Sequence, residues 1–386
     1  MVIDEGTTGV RTMIFDRALN LQAKAYETLN LMYPHPDFVE QSPAEVYERT
    51  VSTIKKAVLA GGIDPKEIEC IGISTQRVTW VPWRRSDGEP LMNMATWMDR
   101  RGIPRHKELK ADKEFERRFP EMYNSIQPQH IACGLGWQLR QDENLRRMMD
   151  AGELMFGTVD TWIVYKLTRG KVFASNASNA GTTRLIDNRT LNWNVEAMKY
   201  LGINPDMFPE VKNEADDYGM LDKDILGVEI PITGVVADQQ SALFAQACLT
   251  PWTVKSTNGT GSFVTFNLGD RSVEGKGPYA SIVGWKLPNQ VRFMAEGFLP
   301  TAGSALEWLK NEAHLIDEFG ELHGIIHSVP DSGGVFFSPA LNGFRAPLND
   351  ATAKAGFLGI SGGVKKAHLV RSVVEAIAFA NAHVIE

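Results

Sequence analysis

Asp4-Glu5-Gly6-Thr7-Thr8-Gly9-Val10-Arg11 decides how the rest of the chain reads. Met1-Val2-Ile3 before it is the apolar end of a strand, and Val10 to Phe15 runs on as a second strand, closed by Asp16. The turn between them, Gly6-Thr7-Thr8-Gly9, lacks bulk and can aim several backbone N–H groups and two hydroxyls at one point. A concave nest of amides suits a phosphate. Asp4, at the strand end, can hold a metal ion that bridges phosphate oxygens. An ordinary hairpin turn has the same composition, so the octapeptide alone leaves the two readings about even.

A second copy breaks the tie. Thr257-Asn258-Gly259-Thr260-Gly261-Ser262 interrupts Trp252 to Ser256 and Phe263 to Asn267, again strand, Gly/Thr turn, strand. Two such hairpins, roughly 250 residues apart, suggest two related halves that each offer a phosphate loop to a shared cleft. The pair resembles the phosphate loops of the actin/hexokinase/sugar-kinase superfamily, in which two domains close over ATP.

Bulk properties bound the alternatives. A chain of 386 residues exceeds a single-core domain, so two domains are expected. Composition is that of a globular protein, with 43% hydrophobic and 23% charged residues. A net charge of −7 with no basic stripe argues against nucleic acid. No apolar run approaches the roughly 20 residues of a membrane span, and the N-terminus reads as a strand rather than a signal peptide. Cys70, Cys133 and Cys248 lie far apart with no CxxC spacing, which suggests thiols in a reducing compartment. A cytoplasmic protein is the expectation.

Further along, Ser42 at N-cap, Pro43 at N1 and Glu45 at N3 form a capping box for a helix from about Pro43 to Leu59. Ile68 to Ser74 reads as a strand buried on both faces, delivering Gln76-Arg77-Val78 at its end. Thr79 to Trp83 and Leu91 to Trp97 flank a hairpin turn at Ser86-Asp87-Gly88-Glu89. Gly157 to Leu167 reads as a helix, and Ser175 to Asn179 as a loop. Ile230 to Ala237 is a strand ending on Asp238, and the second domain is placed from residue 230. Gly297 to Ser304 opens a helix through Leu309, and a closing helix runs from about Ala367 to Ile385. Strand–helix alternation with hairpins gives an α/β fold with mixed sheets.

Together the motifs resemble the FGGY carbohydrate kinases, most of all the glycerol kinase branch and its divergent animal paralogue. The markers are Asp4 to Thr8, Phe38-Val39-Glu40-Gln41, Gln76-Arg77, Trp97 to Arg101, Asp160-Thr161-Trp162, Ser175 to Ser178, Ala237 to Gln240, Gly259-Thr260-Gly261 and Ala346-Pro347. Ala355, Gly359-Ile360, His368-Leu369, Ser372 and Glu375 extend them. The resemblance implies an α/β actin-like ATPase (ribonuclease H-like) fold with two domains around a cleft. Residues 1–229 would form the N-terminal domain and 230–386 the C-terminal one, the latter incomplete because the family runs on past the last helix.

The same resemblance implies roles. Asp238 is the catalytic base that takes the proton from an attacking hydroxyl, a contribution of about 10²–10⁴-fold, and its carboxyl can also cap the helix that follows. Asp4 holds Mg²⁺, with Asp238 as the second carboxylate at the ion. Thr7, Thr8 and Arg11 face the β- and γ-phosphates of ATP, Thr260 and Gly261 the γ-phosphate, and Gly303 and Glu307 the nucleoside. Arg77, Trp97, Asp238, Gln239 and Phe263 line the pocket for a small polyol or sugar.

Departures from the pattern cluster in that pocket. Val78 stands where glycerol kinases carry a Glu that accepts hydrogen bonds from glycerol, Gln129 where they carry Tyr, and Gly134 where they carry Lys. A larger polyol, or a pentulose or other ketose, stays open beside glycerol, as does a catalytically weak ATP-binding regulatory protein. The closing helix offers a surface for a homodimer. Other signals lead nowhere: His323 and His327 have helical metal spacing without a completing carboxylate, and His130 beside Cys133 lacks an orienting third residue.

Overall fold

The computed structural model describes all residues except 274–278, 280, 346–347, 349 and 351; the marker Ala346-Pro347 lies outside the described residues. Two compact units emerge. The first comprises Met1–Ala242, Asp270–Ser272 and Ile282–Phe293, and the second Leu243–Gly269, Val273–Ser281 and Met294–Glu386.

The first unit is built on the opening hairpin. Strands β1 (Val2–Glu5), β2 (Gly9–Phe15) and β3 (Leu21–Thr28) form an antiparallel meander. Helix α1 (Pro43–Gly61) crosses over to β4 (Ile71–Thr75), which pairs parallel with β1. Strand β5 (Ile232–Ala237) adds parallel to β4, giving the order β5-β4-β1-β2-β3. Ile3, Val10, Ile14, Ile71, Ile73 and Val235 bury against Val46, Ile54 and Ala57 of α1. Ser42 caps α1, its hydroxyl accepting from Glu45 N at 3.3 Å, an arrangement worth about 1 kcal/mol. Only half of the expected capping box closes, because the Glu45 carboxylate turns to Asn30 Nδ2 at 2.7 Å.

A second sheet in this unit runs Met32–His35, Phe38–Gln41, Met94–Ala95, Trp80–Arg84 and Leu154–Thr158 in spatial order. It packs on helices through Phe115, Ile131, Leu135 and Phe156. The turn at residues 86–89 forms as expected, with Gly88 N donating to Arg84 O at 2.9 Å.

Three sequence expectations change. Ile232 to Ala237, expected to open the second domain at residue 230, belongs to the first unit, because it hydrogen-bonds β4. The chain leaves that unit only within the following helix α2 (Asp238–Ala245). Gly157 and Thr158 end a strand rather than begin a helix, which runs Val159–Leu167. Ser175 to Asn179 is not loop but a short strand, Ala174–Asn176, and a helix, Ala177–Thr182, all buried. That polar segment can be buried because Asp160 Oδ2 accepts from Ser175 Oγ (2.6 Å) and Asn176 Nδ2 (3.2 Å).

In the second unit β6 (Val254–Asn258) and β7 (Ser262–Gly269) pair antiparallel, Asn258 opposite Ser262. Helix α3 (Gly303–Asn311) and the closing helix α4 (Lys366–Ile385) share a core of Leu309, Phe337, Val370 and Val373. Asn381 on α4 fastens the hairpin, its Oδ1 accepting from Ser262 Oγ at 2.7 Å and Ser256 Oγ at 3.1 Å.

Candidate active site

Strands β1, β4 and β5 end level: Glu5 and Ala237 both stand opposite Thr75. The backbone therefore leaves the parallel edge three times in one place, as the turn Gly6–Gly9, as Gln76-Arg77 and as Asp238. The carboxyl ends of parallel strands are where open α/β sheets bind ligands. Asp4 and Asp238 are two strand spacings apart there, roughly 10 Å between backbones.

Asp4 pairs across β1–β2 with Arg11, carboxylate to guanidinium at 3.6 Å. Burial raises the Asp4 carboxyl above its ordinary range, and Arg11 pulls it part of the way back. The turn itself is closed by Gly6 N donating to Gly9 O at 3.1 Å. Gly9 has to be glycine, since a Cβ there would stand 2.5 Å from Glu27 O. Thr8 is exposed, whereas Thr7 is half-buried: its hydroxyl accepts from Trp97 Nε1 at 2.8 Å and donates to Gln76 Oε1 at 3.1 Å. Arg77 and Asp238 form an ion pair at 3.5 Å, their side chains 12% and 36% exposed. The guanidinium thus sets a positive charge beside the carboxylate at the end of β5. Gln239 follows, its N–H donating to Asp238 Oδ1 at 2.6 Å.

Val78, next to Arg77, adopts φ 68°. A β-branched residue in the left-handed region is a conformational outlier.

The second unit gathers its own set. Gly303 N donates to Gly259 O (2.8 Å), and Ala302 N and Ser304 N both donate to Thr260 O (3.0 Å each). The second Gly/Thr turn is thus pinned to the start of α3, and a Cβ on Gly303 would meet Gly259 O at 2.5 Å. Thr260 and Glu307 are both exposed, Glu307 one helical turn beyond Gly303. Phe263 stacks on Phe298 with ring centroids 4.5 Å apart. Thr260, Gly261 and Gly303 come together here, while Asp4, Thr7, Arg11, Arg77, Trp97, Asp238 and Gln239 belong to the first unit.

Sequence reasoning assigned no role to two groups. Gln41 and Gln76 are fully buried and bonded to the first turn; an amide closing an otherwise apolar strand was the available signal. Glu214 is buried, with Oε1 accepting from Ser178 N at 2.7 Å and Oε2 from Lys286 N. Ser178 Oγ in turn accepts from Ala237 N at 3.1 Å, directly before Asp238. Burial pushes the Glu214 carboxyl up to about 7. The unproductive signals stay so: burial drives His130 toward neutral imidazole and lifts Cys133 to about 12. His323 and His327 simply stack, centroids 4.3 Å apart.

Comparison with known proteins gives the family and the fold. The model of the FGGY family of carbohydrate kinases, N-terminal domain, matches residues 1–245, and that of its C-terminal domain matches 254–386. Glycerol kinase 2 of Thermotoga maritima is 37% identical over 385 residues, covering 100% of this chain and 77% of the relative. Glycerol kinase 5 of Danio rerio is 36% identical, covering 98% of this chain and 74% of the relative. A crystal structure of Plasmodium falciparum glycerol kinase with ADP superposes with a TM-score of 0.90 at 27% identity, covering 100% of this chain and 77% of that one. A ligand-bound xylulose kinase from Lactobacillus acidophilus shares the fold, with a TM-score of 0.85 at 20% identity and coverage of 98% and 76%. With the actin-like edge, both Gly/Thr hairpins and both family domains in place, the chain belongs to the FGGY family of carbohydrate kinases, ATP-dependent phosphotransferases that act on hydroxyl groups.

Proposed function

We propose that this chain phosphorylates a primary hydroxyl of glycerol or a related small polyol or sugar, with Asp238 as general base and MgATP as donor. The observation that carries the reading is the Arg77–Asp238 pair at the carboxyl edge of β5, level with the Asp4 turn. Asp238, paired with Arg77, would accept the proton of the attacking hydroxyl, while Arg77, Trp97 and Gln239 would orient the acceptor. Asp4, Thr8 and Arg11 in one unit, and Thr260 with Gly261 in the other, would each face phosphate oxygens, with Gly303 and Glu307 toward the nucleoside.

Among the described residues no group of three or more His, Cys, Asp or Glu is assembled for a metal. Asp4, with Asp238 as the second carboxylate, would hold an ion that the nucleotide brings. When bound, MgATP supplies the transferable phosphoryl group and the dication that neutralises its charge. What the chain adds is position and electrostatic preorganisation.

Val78, lacking the carboxylate of glycerol kinases, favours a second acceptor class, a pentulose or other sugar, because a polar partner that binds a hydroxyl discriminates by about 10⁴–10⁵. No described helix is long and apolar enough to cross a membrane; a cytoplasmic enzyme, with α4 available for homodimerisation, accompanies the proposal. The test is ADP release with MgATP against glycerol, dihydroxyacetone, erythritol, D-ribulose and D-xylulose. Turnover on one compound, lowered by about 10²-fold or more in Asp238→Asn, is expected. Turnover that survives in Asp238→Asn sinks the base, and silence on every compound favours a regulatory ATP-binding protein.

A further inference from the structure

We infer that Gln41, Gln76 and the indole of Trp97 form a three-armed clamp on the Gly6–Gly9 turn, so that Trp97 sets the turn's affinity for nucleotide phosphates without touching them. The inference rests on the phosphoryl-transfer reading of the turn.

The problem the clamp solves is local. A turn bounded by two glycines has ample backbone freedom of its own. A nest of amides binds an anion well only if the N–H groups already converge. Something outside the turn must therefore hold it.

Three side chains do so. Gln41, closing the strand Phe38–Gln41, donates Nε2–H to Thr7 O at 2.7 Å. Gln76, the first residue past β4, donates Nε2–H to Gly6 O at 3.3 Å and to Gln41 Oε1 at 2.9 Å. Trp97 donates its indole N–H to Thr7 Oγ1 at 2.8 Å. The hydroxyl of Thr7 passes the chain on to Gln76 Oε1 (3.1 Å), which also accepts from Thr79 Oγ1 at 3.0 Å. Thr79 Oγ1 in turn accepts from Trp97 N at 3.2 Å, closing the circuit.

The polarity of this circuit is determined. Gly6 O and Thr7 O can only accept, so both amides must present Nε2 to them. Gln76 then has both of its amide hydrogens in use and two donors at its oxygen. Both glutamines are buried, 0% and 2% exposed, so water does not compete. A consequence follows for Thr7, whose hydroxyl was expected to face phosphate: it is engaged on both sides, which leaves Thr8 as the exposed hydroxyl of the turn.

Trp97, Gln41 and Gln76 are positioning residues in this scheme. A rotation of the Trp97 ring by an acceptor molecule would pass through Thr7 to the turn, linking acceptor and nucleotide binding in one unit.

The experiment is calorimetric titration of MgADP into the full chain, Trp97→Phe, Gln41→Ala and the double variant, with thermal melts of each. Trp97→Phe keeps the ring and loses only the N–H. It is expected to weaken MgADP by about tenfold at nearly unchanged melting temperature. Gln41→Ala should weaken it comparably, and the double variant no further than the weaker single, since both break one unit. Wild-type affinity in Trp97→Phe, or losses that multiply in the double variant, overturns the clamp. Should Gln41→Ala fail to fold, Thr7→Val, which removes the hydroxyl joining Trp97 to Gln76, takes its place in the cycle. A wild-type chain that does not bind MgADP overturns the phosphoryl-transfer reading together with the clamp, whereas binding with an unaffected Trp97→Phe removes the clamp alone.

Discussion

Val78 occupies a conformation that a β-branched side chain rarely adopts, with φ 68°, at a cost of about 1–3 kcal/mol. Its neighbours hold it there: Arg77 is drawn to Asp238, and Thr79 Oγ1 donates to Gln76 Oε1. A residue that bends the backbone between two such anchors aims both. Replacing Val78 by Gly removes the steric cost and adds unfolded-state freedom worth about 0.5–1 kcal/mol. Val78→Gly should therefore melt at or above the wild-type temperature. A drop of several degrees would mean that the isopropyl group packs more tightly than its half-buried state suggests. In the sequence Val78 stands out only through the family resemblance, which leads one to expect an acidic residue there; the strain is invisible in it, because φ is set by what the flanking side chains bind.

Among the elements, the short helix Ala177–Thr182 shows how tertiary partners overrule composition. With the strand before it, its polar run reads as loop, yet Asp160 accepts from Ser175 and Asn176 in that strand and Glu214 accepts from Ser178 N in the helix, partners 15 and more residues away. Glu214 carries a pH signature. Burial raises its carboxyl to about 7 from an ordinary 4.5, so the folded state binds that proton more tightly than the unfolded chain does. The stability linked to this group is present in full below about pH 4.5 and is lost as pH rises through 7, an effect of about 3 kcal/mol. Denaturant titrations of wild type and Glu214→Gln should therefore shift in favour of the variant between pH 5 and pH 8. A difference that does not vary with pH would rule out burial as the cause. The two Gly/Thr hairpins, α1 with its Ser42 cap, and α4 were legible in the sequence because each is a local pattern of turn residues or helical period. The membership of β5 was not. Its residues are equally apolar in either sheet, and only hydrogen bonds to β4, far back in the chain, decide where it belongs.

At the scale of the whole molecule, the first unit is discontinuous: it takes back residues 282–293 after the chain has begun the second unit. The returning strand, Ile282–Leu287, brings Val283 against Gly181, Lys286 N to Glu214, and Val283 O to Gln240 Nε2 at 3.2 Å. Val283 and Trp285 are almost wholly buried, about 2–3 kcal/mol of apolar burial each. A fragment cut at residue 245, where the N-terminal family match ends, is therefore expected to bind a hydrophobic dye and melt without a sharp transition. A cooperative melt of that fragment, with amide protection equal to the intact chain, would refute this. The same chain path bears on biosynthesis. A nascent polypeptide emerges from the ribosome in order, and the edge that holds Asp238 stays unsupported until roughly fifty further residues have been added. At about 5–20 residues per second that leaves seconds of exposure, a window in which a chaperone finds the half-built kinase before its own last strand does.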